Sequence, residues 1–188
     1  MTEEKINHAL SVISRSRLEC LFDGIFAIAM TLLVLELKVP ELADRESTTE
    51  LAGKLAAFAP TYGSYLLSFM MLGMLWYRHN QQYHHFQIIT GAMLSLQLVQ
   101  LAAAAFFPFS AALLGRYPTN SISGAIYVGC IFGYLWAGLA NWITAKREGA
   151  LKPEVALTDY LRIRNRLVRN CALISVIWCY FAIKILAR

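Results

Sequence analysis

Long apolar stretches alternate with short polar ones along this chain. The first 16 residues are polar and show no period, and apolar positions then dominate five stretches, at about 17–39, 61–78, 88–114, 122–145 and 170–186. A helix needs roughly 20 predominantly apolar residues to cross a hydrocarbon core, so the pattern predicts an all-α integral membrane protein with five transmembrane helices. They form a single domain, residues 1–188. The first stretch is too long for a signal-peptide core and no small-residue cleavage site follows, so it reads as a retained helix that Pro40 ends. After it, the run Ser47-Thr48-Thr49-Glu50 fits a capping box. Leu51, Leu55 and Phe58 then recur on one face, the pattern of a short helix lying at the interface. Pro108 predicts a kink or tilt in the third span. Arg116 to Asn120 reads as a turn, and Gly129-x-x-x-Gly133 in the fourth span predicts a close helix contact. A basic linker carrying Lys146, Arg147, Lys152, Arg162, Arg164, Arg166 and Arg169 leads to the fifth span.

Composition supports the pattern. Of 188 residues 57% are hydrophobic and 15% charged, against about 25% charged in soluble domains. No Asp or Glu occurs between Leu51 and Arg147, which excludes a water-soluble enzyme with a carboxylate pair in its middle half. The net charge of +5 is the basic excess that cytoplasmic loops collect, not a nucleic-acid footprint. With the N-terminus inside, 11 Lys and Arg fall in the inner segments and 6 in the outer ones, so the bias predicts a cytoplasmic N-terminus. Cys20, Cys130, Cys171 and Cys179 form no C-x-x-C pair and read as small buried hydrophobes.

Ionisable and polar groups at membrane depth are the candidates for chemistry. Asp23 enters the first span with Glu19 one turn before it and Arg17 nearby. It either ties the helix end to a partner, with His79 a fitting one, or forms a cation-attracting mouth or a proton-linked switch; the structural role is favoured because buried carboxylates are normally paired. Thr31 is the one hydroxyl, amide or charged side chain between Asp23 and Glu36. Ile28, Thr31 and Leu35 follow an i, i+3, i+7 stripe on one helix face. Thr31 either hydrogen-bonds its own backbone at Ala27, or the stripe lines a pore in which Ile28 and Leu35 are apolar collars and Thr31 a polar rung. Trp76, Arg78, His79, Asn80, His84 and His85 cluster at the end of the second span, without the ligand spacing of a zinc site, and read as an interfacial belt. Gln97 and Gln100 share a face and are expected to hydrogen-bond between helices. The chain has no nucleotide-binding or hydrolase motif and no T-V-G-Y-G loop, and no metal site or cofactor is expected.

The stretch from Arg17 to Pro40 resembles the first-helix signature of the prokaryotic relatives of the lysosomal potassium channel, transmembrane protein 175. That signature reads R-x-x-x-F-S-D-G followed by an apolar helix. Arg17, Asp23 and Gly24 match, while Leu21 and Phe22 stand in place of the motif Phe and Ser. Trp76-Tyr-Arg-His79-Asn80 is similar to the family's W-x-x-H-H element. Phe107-Pro108-Phe109-Ser-Ala-Ala-Leu-Leu-Gly115 is similar to its L-P-F-x-x-x-L-L-G element. The resemblance implies a potassium-permeable, weakly voltage-dependent channel, a homotetramer of six-helix subunits whose first helices line the pore. It further implies a hydrophobic constriction at Ile28, a threonine layer at Thr31 with Leu35 on the same face, and a helix-bracing network of Arg17, Asp23, Gly24, Trp76 and His79. Phe22 removes the motif hydroxyl from that network. Five spans are read where the family has six, with only Ala187 and Arg188 after Leu186, so the sixth helix is either absent by nature or lost by shortening of the chain. Taken together, the expectation is a homotetrameric potassium channel of the bacterial plasma membrane, with transient potassium in the pore as its only ion. A proton-linked secondary transporter and a non-conducting membrane scaffold are the alternatives.

Overall fold

The structure, a computed structural model, describes residues 14–187; Lys5 and Arg188, counted in the charge balance, lie outside them. Six α-helices follow one another among the described residues: α1 (Arg15–Leu32), α2 (Thr48–Ala57), α3 (Ala59–Tyr83), α4 (Gly91–Arg116), α5 (Ser121–Arg147) and α6 (Leu157–Leu186). No strand occurs among the described residues. Four helices (α1 with the turn after it, α4, α5 and α6) are each long and apolar enough to cross a membrane. The α3 helix reaches that standard only together with α2, from which it bends by 52°. Its buried face explains the shortfall: Ser64, Ser68, Leu72, Leu75, His79 and Tyr83 line one side at helical spacing, and half of them are polar. The α4 helix packs on α5 and α3, α1 rests against α3 and α4, and α6 leans on α5.

Hydrogen bonds between helices replace the hydrophobic drive that lipid cannot supply. Ser64 Oγ donates to the Ala111 carbonyl at 2.6 Å, Ser68 and Tyr127 hydroxyls meet at 3.3 Å, and Tyr134 Oη donates to the Leu75 carbonyl at 3.3 Å. Gln82 Nε2 reaches the Gly138 carbonyl at 2.8 Å. Gln100 Nε2 donates to the Tyr134 carbonyl at 3.4 Å, as its sequence position led us to expect, whereas buried Gln97 has no hydrogen-bond partner among the described residues. Of the glycine pair in α5, Gly129 meets the Trp178 indole of α6 and Gly133 faces open space. The tightest approach is at Gly124, where a Cβ would overlap the Phe181 ring.

Three boundaries differ from the sequence pattern. The first helix tightens into a 3-10 turn over Leu33–Glu36 and stops there, short of Val39, because Pro40 disfavours helical backbone before it. The α4 helix begins at Gly91, three residues after the expected start at Ile88, and as expected continues through Pro108. The basic linker is helical from Leu157. Its arginines mask an amphipathic register in which Tyr160 is buried and Ile163 and Leu167 pack against the core. Cys20 and Cys179 are also exposed in the protomer rather than buried.

Between α1 and α2 the capping run takes a modified form. Ser47 Oγ accepts from the Glu50 amide at 3.2 Å, but the Glu50 carboxylate reaches past Ser47 to the amides of Ala43 (3.1 Å) and Asp44 (3.2 Å). Lys54 pairs with it at 2.8 Å and also donates to the Glu41 carbonyl. Lys54 first, then these two amides, hold the Glu50 carboxyl down at about 2. The tie is complete above the ordinary value of 4.5 and is lost as pH falls through about 2. Glu50→Ala is expected to speed hydrogen exchange at the Ala43 and Asp44 amides about fivefold at neutral pH.

Candidate functional site: the open face of the first helix

The α1 helix has two unlike faces. Leu18, Phe22, Phe26, Ala29 and Leu33 recur every three or four residues and are buried against α3 and α4. On the other side Ile28 is 59% exposed and Leu35 70% exposed, Thr31 between them is exposed, and so are Gly24 and Ala27 before them. A Cβ on Gly24 would meet nothing within 4 Å. The Thr31 hydroxyl donates to the Ile28 carbonyl at 2.8 Å, not to Ala27. That bond orients Oγ toward the exposed side and leaves its lone pairs free to accept. The 3-10 turn advances 120° per residue instead of 100°, so Leu35 is carried about 60° around the axis from a straight α-helical register. The stripe is therefore open but twists at its far end.

The bracing residues come together in part. Asp23 accepts from Trp76 Nε1 at 2.8 Å, which joins α1 to α3. His79 is not its partner. The imidazole stacks on Phe22, with ring centroids 3.6 Å apart and planes 10° apart. The phenyl ring that replaces the motif serine thus makes a contact of its own, by stacking instead of hydrogen bonding. Arg17 is exposed and its guanidinium bonds to no other described residue. It falls seven residues before Gly24 and fourteen before Thr31, on the same open stripe.

His84 and His85 occupy the turn after α3, where His85 meets the Trp142 ring edge-on at 5.7 Å. Burial, then neighbouring His84 and Lys152, push the His85 imidazole below its ordinary value of 6.5. No group of His, Cys, Asp and Glu among the described residues is placed to hold a metal ion. Sequence reasoning did not single out Ser64, Ser68, Tyr127 or Tyr134, which join the helices. The signal was present in the 64, 68, 72, 75, 79 spacing, which marks one face of α3 as buried whatever its polarity.

These features define a polytopic α-helical membrane protein whose first helix is seated by one face and leaves an apolar stripe with a hydroxyl uncovered. The model of the family described as endosomal/lysosomal potassium channel TMEM175 matches residues 17–108. A potassium channel of Chamaesiphon minutus is 33% identical over 155 residues, covering 77% of this chain and 76% of that protein. A potassium channel of Streptomyces collinus is 32% identical over 139 residues, 72% of this chain and 66% of that one. The crystal structure of a lysosomal potassium-selective channel TMEM175 homolog from Chamaesiphon minutus is similar with a TM-score of 0.66 and 26% identity, over 90% of this chain and 97% of that one. The chain belongs to the TMEM175 family.

Proposed function

We propose that this protein is the subunit of a potassium-selective cation channel, assembled as a homotetramer around a pore lined by α1. The observation that carries the reading is the open stripe of Ile28, Thr31 and Leu35 on a helix whose opposite face is fully packed. One such subunit encloses no pore, whereas closed rotational symmetry turns a stripe into a ring. In that ring Ile28 forms an apolar collar that resists wetting, and Thr31 supplies hydroxyl rungs in place of carbonyl cages. With the Thr31 proton committed to the Ile28 carbonyl, the oxygen faces a permeant cation as an acceptor. The subunit is one transmembrane domain with five spans, α1 and α3 to α6, and α2 lies at the interface. Its N-terminus is cytoplasmic in a bacterial plasma membrane, and permeant potassium is its only ion. Asp23 with Trp76, and Phe22 with His79, form the joint that holds α1 at its cytoplasmic end, while Arg17 and Gly24 lie on the open stripe. The relatives named potassium channels and the similar channel structure support this reading.

Potassium flux into liposomes tests it. Ile28→Asn is expected to raise flux about tenfold or more by wetting the collar, and Thr31→Ala to lower the preference for potassium over sodium with little change in total flux. Assembled wild-type protein without flux, and unmoved by either substitution, would sink the proposal.

A further inference from the structure

At the end of the bundle that carries the α3–α4 and α5–α6 loops, a cleft of about 300 Å³ opens between α3, α5 and α6. Its walls contain no carboxylate, and they include the guanidinium-bearing Arg78 and Arg166. Neither arginine is in an ion pair among the described residues. At its floor lie His79 and Gln100, 4% and 2% exposed. His79 Nε2 and Gln100 Oε1 have no hydrogen-bond partner among the described residues. Orphaned buried polar atoms are costly and rare, so two in one cleft call for an occupant. Met74, Leu135 and Leu167, one from each of the three helices, add apolar lining.

These features specify a ligand. Two unpaired arginines call for a phosphate-type anion, which guanidinium forks bind well. A phosphodiester offers acceptors alone, yet Gln100 Oε1 accepts and needs a donor, which a headgroup hydroxyl supplies. The apolar lining suits an acyl chain, and basic clefts between transmembrane helices hold acidic lipid headgroups. We propose that this cleft is a binding site for an acidic phospholipid with a hydroxylated headgroup, its phosphate on Arg78 and Arg166 and its hydroxyl on Gln100 and His79. Because His79 stacks on Phe22, the bound headgroup abuts the side chain that seats α1, so occupancy bears directly on the position of that helix.

Native mass spectrometry of the full chain in mixed micelles tests the site without any conduction readout. Wild type is expected to retain one phosphatidylglycerol per chain in preference to phosphatidylcholine and to phosphatidylmethanol, which is acidic but lacks the hydroxyl. The Arg78→Gln, Arg166→Gln double variant is expected to lose about thirtyfold in affinity for phosphatidylglycerol. Arg147→Gln removes an exposed charge near the same end of the bundle but outside the cleft, and should lose none. Gln100→Leu is expected to erase the preference for phosphatidylglycerol over phosphatidylmethanol. Equal retention by wild type and the double variant overturns the site, as does equal retention of phosphatidylmethanol and phosphatidylglycerol by wild type. Competition by free glycerol 3-phosphate at the same concentration as the lipid overturns the lipid and assigns the cleft to a soluble phosphate.

Discussion

Trp142→Ala is expected to lower the free energy of unfolding by about 3–5 kcal/mol, measured by titration in mixed denaturing micelles. The indole is fully buried near the end of α5, one turn before Lys146. It stacks on Tyr160 of α6 at 5.7 Å, with Phe86 at 6.0 Å and His85 at 5.7 Å against its edges. Its Nε1 donates to the Tyr160 carbonyl at 3.4 Å. Around this ring the two loops are clasped: the Gln87 amide donates to Ala150 at 2.8 Å and the Lys152 amide to His85 at 3.0 Å. Gly149, at φ +65°, turns the chain so that Ala150 can reach that position. The cost is high because these loops meet water when they open, so the full transfer and cavity terms both apply. Trp142→Phe keeps most of the stack and should lose about 1 kcal/mol. A loss below about 1 kcal/mol for Trp142→Ala would mean that the two backbone bonds alone hold the clasp.

That clasp illustrates what was legible in the sequence and what was not. The apolar stretches placed four of the long helices, because about twenty predominantly apolar residues leave a chain few alternatives. The open stripe of α1 was readable too, since Ile28 and Thr31 are three residues apart on a helix that remains regular to Leu32. The failures lay where charge or polarity competed with register. Four arginines hid the first three turns of α6, although Tyr160, Ile163 and Leu167 kept helical spacing beneath them. The polar residues at the end of α3 made its span look shorter than it is, 61–78 against Ala59–Tyr83. Partner choice was not readable at all: Asp23 and His79 both lie at the end of their spans, and only three-dimensional packing gives the carboxylate to Trp76 and the imidazole to Phe22. The cleft between Arg78 and Arg166 joins residues 88 positions apart, and no local pattern announces such a meeting.

Phe22→Ala is expected to cost about 2–3 kcal/mol, less than Trp142→Ala, for a reason specific to membrane depth. The ring is 1% exposed, lies 3.6 Å from the His79 ring and 6.4 Å from Phe26. In a soluble core its loss would carry a transfer term as well, but lipid tails are as apolar as the protein interior, so that term nearly vanishes. What remains is lost dispersion around a cavity of roughly 100 Å³, which at about 24 cal/mol per Å³ gives about 2.4 kcal/mol. Ile28→Ala, six residues along the same helix, leaves no cavity in the protomer and should stay within about 0.5 kcal/mol. The same pair separates seat from pore in the flux assay. Phe22→Ala should reduce the fraction of assembled, conducting protein, whereas Ile28→Ala should leave assembly intact and raise flux by widening the collar. Equal stability losses at the two positions would mean that Ile28 is packed against protein, and the open stripe could not then border a water-filled path.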